Sequence, residues 1–170
     1  MKSVFKKLSY LVLLIIMMGL VACEDNAAVV SKQTVVSQAL EPFKLDVYKS
    51  PTCECCGRWV SHIGNNGIDA ATHHPADLNL VKNQLGIRPQ YQSCHTGVSK
   101  EGYIFEGHIP ADVMQRFMKE KPEGVLGLAV PGMPIGSPGM EMGDRRDAYD
   151  VLLLNKDGSS TVYQQINAGV

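Results

Sequence analysis

Three cysteines lie where a strand pattern changes into a helix pattern, and this junction constrains the fold more than any other feature of the chain. Residues 43–48 alternate apolar and polar side chains, which is the period of a half-buried strand. Cys53, Cys55 and Cys56 follow closely, and apolar side chains then recur at helical spacing from 56 to 63. The sequence therefore predicts a strand that leads, through a short cysteine loop, into a helix.

The rest of the domain alternates between strand and helix patterns. The predicted order, β-α-β-α-β-β-α followed by a closing hairpin, is that of a thioredoxin-like α/β sheet whose first crossover joins parallel strands. After the cysteine helix, which Asn65-Asn66-Gly67 ends, the predicted elements are a strand at 68–72, a helix at 78–85 with Asp77 as its cap, strands at 95–99 and 103–107, a helix that Pro110 opens, and strands at 149–154 and 161–166.

A glycine-rich segment at 124–143 separates the last predicted helix from the closing hairpin. It holds six glycines, three prolines and three methionines in twenty residues, a composition that predicts an irregular loop without strand or helix. We treat it as a C-terminal extension of the thioredoxin-like domain. Its methionines, Met133, Met140 and Met142, have no periodic apolar neighbours, so they are candidate metal ligands as well as candidates for adaptable packing.

The amino terminus has the pattern of a secretion signal. Three lysines precede an apolar run from Leu8 to Val21, which is shorter than the roughly 20 residues of a membrane-spanning helix. The run ends at Cys23 in the sequence LVAC, which resembles the lipobox of bacterial lipoproteins, and an ordinary cleaved signal is the alternative. The predicted organisation is a lipoprotein signal peptide at 1–22, a flexible tether at 23–42 that begins with a lipidated Cys23, and a metal-binding domain at 43–170. We expect the mature protein in the bacterial periplasm, attached to the membrane by the lipid alone.

Export has two consequences for the chemistry of the chain. Without its signal lysines, the mature chain is more acidic than the formal net charge of −1 for the whole sequence, and this disfavours nucleic acid as a partner. Thiols outside the cytoplasm also tend to form disulfides unless a metal or a reductant holds them. Two structural disulfides are therefore one interpretation of the four mature cysteines, although the adjacent Cys55 and Cys56 suit it poorly.

The cysteine cluster is predicted to carry reactive sulfur, because the free N–H groups and the dipole of a helix N-terminus stabilise thiolates. Cys53 and Cys56 have the C-x-x-C spacing of a thioredoxin-like redox pair, for which Cys55 is one thiol too many. With Cys94 as a fourth thiolate, the set suits Cu(I), zinc or an iron–sulfur cluster. The methionines of the extension favour copper among these, because thioether sulfur prefers Cu(I).

Two of the five histidines are candidate ligands, although weaker ones than the cysteines. His95 is adjacent to Cys94, and His108 follows a predicted strand just before the third helix. A lone histidine is more often a hydrogen-bonded structural residue than a metal ligand, so either role is open for His95 and for His108.

Four motifs, in this order, resemble the CopG-like copper-resistance family across residues 43–166. The resemblance implies a thioredoxin-like domain in the envelope of Gram-negative bacteria, near copper-export systems, with a C-terminal extension that helps to bind metal. The motifs are Cys53-Glu54-Cys55-Cys56, then Ser93-Cys94-His95-Thr96, then Glu106-Gly107-His108-Ile109-Pro110, and finally Pro131-Gly132-Met133-Pro134 with Gly136-Ser137-Pro138-Gly139-Met140.

The resemblance also implies a copper site. Four thiolates in so small a volume can bridge metal ions, so we expect that several copper ions share cysteine sulfur. Interconversion of Cu(I) and Cu(II), and hence a copper oxidoreductase activity, is implied at the level of the family. The predicted ligands are Cys53, Cys55, Cys56, Cys94, Met140 and Met142, with Met133, His95 and His108 as weaker candidates.

Two other functions compete with a redox-active copper site. A thiol–disulfide oxidoreductase would act on protein partners through Cys53 and Cys56. A passive copper chaperone would only hold ions and hand them to an efflux system or to another periplasmic carrier. Thioredoxins have a cis-proline before the strand that faces their C-x-x-C motif, and Cys94 in that region disfavours general disulfide exchange.

Overall fold

The strand, cysteine loop and helix at the start of the domain form as their sequence predicts, in a computed structural model that describes residues 43–168. In chain order the elements are β1 Lys44–Lys49, α1 Glu54–Asn65, β2 Asp69–His73, α2 Leu78–Gln84, a 3₁₀ turn Pro89–Tyr91, β3 His95–Ser99, β4 Ile104–Glu106, α3 Ala111–Glu120, β5 Val125–Ala129, β6 Tyr149–Asn155 and β7 Ser160–Ile166.

One seven-stranded sheet connects these elements, in the order β2-β1-β3-β4-β5-β6-β7. Strands β1 and β2 pair in parallel across the crossover through α1, and β3 pairs antiparallel with both β1 and β4. Strands β6 and β7 form the closing antiparallel hairpin. The predicted thioredoxin-like α/β fold is confirmed, with the hairpin added at one edge of the sheet.

The extension contains a strand that its composition does not predict. A loop is predicted throughout 124–143, but β5 pairs in parallel with β4 and antiparallel with β6, so the prediction is wrong for Val125–Ala129. Four of these five residues are buried, and Val125 and Leu128 belong to the hydrophobic core. Pairing and burial override the low strand preference of a glycine-containing segment. The remainder, from 130 to 143, is irregular apart from one isolated bridge between Met142 and Arg145.

Local contacts fix the helices relative to the sheet. The Asp77 side chain accepts the N–H of Leu80 at 3.0 Å, which confirms the predicted cap of α2. Trp59 of α1 is fully buried, and its indole N–H donates to the Ile109 carbonyl at 2.9 Å. Helix α1, which begins at the cysteines, is thereby held against the turn that leads into α3.

The predictions for the amino terminus concern residues outside the described range. The signal peptide at 1–22, the lipidation of Cys23 and the tether at 23–42 stay predictions, as does the domain boundary at 170. Within residues 43–168, no helix has the length and apolar character needed to cross a bilayer.

Candidate metal centre

Cys53 is the N-cap residue of α1. Its sulfur accepts the backbone N–H of Cys56 at 3.4 Å, where most helices use a side-chain oxygen. Cys53 and Cys56 are joined by a disulfide at a sequence separation of 3. A disulfide that closes so short a loop removes little chain entropy from the unfolded state. The pair therefore fits a redox or ligand role better than a structural one.

The sulfur atoms of the four predicted cysteine ligands lie together, all within 4.8 Å of one another. Cys55 Sγ is 3.5 Å from Cys53 Sγ, and Cys94 joins the group from the segment just before β3. Cys55 and Cys94 are free thiols, so the interpretation with two structural disulfides does not describe this part of the chain. The structure brings together every cysteine that the sequence predicts for the site, and their role as ligands stays a prediction.

Two buried histidines flank the Cys94 thiol. His108 Nε2 lies 3.0 Å and His95 Nδ1 lies 3.3 Å from Cys94 Sγ. His108 Nδ1 is 2.7 Å from the Pro138 carbonyl oxygen, which only accepts hydrogen bonds, so Nδ1 carries the proton. The lone pair of Nε2 then faces the sulfur. Metal-binding histidines are oriented by this kind of outer contact, which favours His108 as a ligand.

Burial keeps the groups around Cys94 in their uncharged forms. It lowers the pKa of His108 against the opposing effect of the Pro138 contact, and together with repulsion from His108 it holds the pKa of His95 well below its usual range. Burial and the nearby Cys55 raise the pKa of Cys94 to about 12. The thiolate character predicted for cysteines at the helix N-terminus therefore does not extend to Cys94, whose proton a metal ion must displace.

One nitrogen of the site has no contact to satisfy it. His95 Nε2 is buried, and no hydrogen-bond partner for it exists among residues 43–168. Unpaired buried polar atoms are rare in folded proteins because they lose their hydration without compensation. Two rings contact the His95 ring: Trp59 is tilted against it at 4.2 Å and His108 meets it edge-on at 4.9 Å between ring centroids.

The glycine-rich extension contacts both cysteine-containing segments. Arg58 Nε donates to the Gly139 carbonyl at 3.0 Å, and the Ser93 hydroxyl donates to the Gly132 carbonyl. Gly139 has a φ of +86°, and a Cβ there would lie 2.6 Å from the carbonyl oxygen of Cys55. Only glycine permits this approach, so the extension is fitted to the first turns of α1.

The three methionines of the extension differ in their surroundings. Met140 follows Gly139 directly and is half-buried, whereas Met133 and Met142 are 52% and 56% exposed. Core packing therefore does not account for Met133 or Met142. Copper ligation by these methionines stays a prediction.

The sequence does not predict the buried ion pair that Lys82 and Glu106 form beside the site. The side chains of Lys82 and Glu106 are 2% and 0% exposed, and Glu106 Oε1 accepts the backbone N–H of Ser93 at 2.6 Å. A lysine on an amphipathic helix predicts a solvated face, so Lys82 carries no signal of its own. Glu106 carries a sequence signal, because an acidic residue in a strand among apolar neighbours needs a buried cation or hydrogen-bond donor.

Two solved structures share this fold and much of this sequence. Both are described as a copper resistance protein CopG, in a form 1 and a form 2, and each is 42% identical to the chain. The matches cover 75% and 74% of this chain and 99% of the other chain, with TM-scores of 0.69 and 0.68. A family model described as "Protein of unknown function, DUF411" matches residues 91–140. No curated protein matches the chain.

Proposed function

Because the chain belongs to the family of the copper resistance protein CopG, as its motifs predict, we propose that it binds copper in the cluster of Cys53, Cys55, Cys56 and Cys94. One observation carries the proposal: the four cysteine sulfurs lie within 4.8 Å of one another at the start of α1. Thiolates are soft ligands, and Cu(I) is the soft ion among the common biological metals.

The donors around the cluster support copper over zinc. His108 presents an oriented lone pair to Cys94, and imidazole binds copper as well as zinc, so this histidine fits copper without selecting it. The adjacent extension carries Met140 and Met142, whose thioethers favour Cu(I) and bind zinc poorly. We propose these methionines as further ligands, and we propose that shared cysteine sulfur bridges several ions, since bridging reduces repulsion among four thiolates.

We further propose a setting and a use for this site. The lipobox-like segment at Cys23 supports a lipid-anchored periplasmic protein, and we propose a copper efflux system or a periplasmic copper carrier as its partner. The disulfide between Cys53 and Cys56, next to two free thiols, supports redox chemistry in which Cu(I) and Cu(II) interconvert. If bound copper keeps its oxidation state with every physiological electron donor, the passive chaperone is the correct function instead.

Copper retention by matched cysteine variants tests the proposal. The full chain, reduced and loaded with Cu(I) without oxygen, should keep stoichiometric copper after desalting, and its X-ray absorption should be dominated by sulfur neighbours. Cys55→Ser should weaken binding, whereas Cys23→Ser, which removes a cysteine outside the cluster, should not. A wild-type protein that retains no Cu(I) would contradict the proposal.

A thiol–disulfide oxidoreductase is the second candidate, and the Cys53–Cys56 disulfide at a helix N-terminus favours it. This activity needs the C-x-x-C pair alone. Insulin reduction by the wild-type protein, unchanged in Cys55→Ser and lost in Cys56→Ser, would support it. Brisk insulin reduction without copper retention would replace the copper proposal by this one.

A further inference from the structure

A buried polar cluster lies next to the segment that carries Cys94. Lys82 of α2 is 1% exposed, and Thr96 of β3 and Glu106 of β4 are fully buried. The Lys82 ammonium group pairs with Glu106 Oε1 and donates to Thr96 Oγ1 at 2.8 Å. The Thr96 hydroxyl in turn donates to Glu106 Oε2 at 2.5 Å. Three elements therefore meet at one carboxylate.

The same carboxylate holds the chain on both sides of Cys94. Glu106 Oε1 accepts the backbone N–H of Ser93 at 2.6 Å, and Glu106 Oε2 accepts from Thr96. Ser93 is further confined by Gly107, where a Cβ would lie 2.7 Å from the Ser93 Cβ. Cys94 lies between two residues that one buried side chain fixes.

Stability alone does not explain an ion pair in this position. Removing two charges from water costs about as much as their attraction returns, and well-packed apolar residues often replace buried pairs without loss of stability. The Lys82–Glu106 pair is therefore better explained by the need to hold a neighbouring group in one fixed position. That group is the backbone of Ser93.

We propose that Glu106, whose charge Lys82 balances, is the positioning residue for Cys94: it fixes the segment from Ser93 to Thr96 so that the Cys94 sulfur faces Cys55. The proposal rests on the proposed function, because Cys94 is the one cluster cysteine that lies outside the C-x-C-C motif and far from it in sequence. Without the carboxylate, the cluster keeps its sulfur atoms but loses the alignment of the fourth.

Two double variants separate positioning from charge. Lys82→Met with Glu106→Gln removes both charges but keeps an oxygen that accepts from Ser93, whereas Lys82→Met with Glu106→Leu removes both charges and the acceptor. Neither variant leaves an unpaired buried charge. The glutamine variant should keep its Cu(I) affinity within about threefold, and the leucine variant should lose about tenfold to a hundredfold, as when other outer partners of a metal site are removed.

A double-mutant cycle then identifies Cys94 as the group that is positioned. If Glu106 acts through Cys94, then Cys94→Ser should weaken Cu(I) binding much less in the leucine background than in the wild-type protein, because the two residues act as a unit. Equal losses in both backgrounds would overturn the proposal. Circular dichroism checks folding, and Glu106→Met, a more adaptable side chain, replaces the leucine if that variant is unfolded.

A metal-free assay makes failure of this proposal distinct from failure of the copper proposal. In a background with Cys53→Ser and Cys56→Ser, only Cys55 and Cys94 remain of the cluster, and the thiol oxidant diamide should join them readily. Mass spectrometry should show slower joining in the leucine variant than in the glutamine variant. If the leucine and glutamine variants show equal joining rates and equal Cu(I) affinities, Glu106 has only a structural role. If their joining rates differ but no protein, including the wild type, binds copper, the copper role is refuted and the positioning role is not.

Discussion

His108 connects the extension to the Cys94 thiol, since it contacts Pro138 on one side and Cys94 on the other. We predict that His108→Ala lowers the Cu(I) affinity of the reduced protein by about tenfold or more, because even outer partners of metal sites contribute tenfold to a hundredfold. Competition with a chromophoric Cu(I) chelator measures this. His73→Ala, at an exposed histidine paired with Asp46, is the control and should bind as the wild type does. Equal affinities of the two variants would remove His108 from the ligand set.

The sequence predicts the donors of this site better than the groups that hold them. Thiol and thioether chemistry marks Cys55, Cys94 and Met140 wherever they stand in the chain. Glu106 is marked only as an acidic residue among apolar neighbours, and Lys82 is an ordinary surface residue type whose importance follows only from burial, which depends on how α2 packs on the sheet. The position of a charged side chain in a fold is set by long-range packing, and no local pattern records it.

The contact between the extension and α1 gives a prediction at the scale of elements. Alanine at Gly139 would place its Cβ 2.6 Å from the Cys55 carbonyl oxygen, so the extension must move away from the helix. Gly139→Ala should lower the free energy of unfolding by about 1–3 kcal/mol, the usual range for overpacking, and should weaken Cu(I) binding. Urea denaturation and chelator competition measure the two effects.

Gly143 provides the matched control for that experiment. It also has a positive φ, of +60°, but an added Cβ would meet nothing within 4 Å. Gly143→Ala therefore carries the backbone cost without the clash, and it should bind Cu(I) as the wild type does. Equal Cu(I) affinities in the two variants would mean that the extension contributes nothing to the site.

Helices α1 and α3 are joined by a histidine contact whose strength depends on pH. His62 Nε2 accepts the N–H of Ala111 at 3.1 Å, and burial lowers the pKa of His62 although Glu141 and Asp112 oppose the shift. Below the ordinary histidine pKa of about 6.5, the unfolded chain takes up a proton that the folded protein resists. The free energy of unfolding should therefore fall as the pH drops from 7 to 5.

His62→Gln tests this contribution, because the amide oxygen still accepts from Ala111 but binds no proton. Urea denaturation of the metal-free protein at several pH values should give a shallower dependence for this variant than for the wild type. Identical slopes would show that His62 does not contribute to the acid sensitivity of the fold.

The elements show which parts of a fold are visible in local sequence. Helix α2 is predicted from its periodicity and from Asp77, because an N-cap is a contact between residues three positions apart. Strand β5 is not predicted, because its glycine and its short apolar pattern specify nothing until β4 and β6 pair with it. The thioredoxin-like core and the closing hairpin are therefore predictable from sequence, and strand β5, which connects them in the sheet, is not.

The domain as a whole joins two chemistries that exclude one another at the same atoms. The sulfur atoms of Cys53 and Cys56 form a disulfide, and a sulfur in a disulfide is no longer a thiolate ligand. In that state Cys55 and Cys94 remain as the free thiols of the cluster. The motif Cys53-Glu54-Cys55-Cys56 already predicts the redox pair and the extra thiol in one place, and the fold adds Cys94 to them.

This exclusion predicts that the oxidation state of the protein controls its affinity for copper. Reduction of the Cys53–Cys56 disulfide should raise Cu(I) affinity by about tenfold or more, and copper should in turn stabilise the dithiol, because binding linkage is reciprocal. Each tenfold preference raises the reduction potential of the pair by about 30 mV. Chelator competition in glutathione buffers of set potential, with thiols counted by mass spectrometry, measures both effects. A wild type that binds copper equally in every buffer would contradict the coupling.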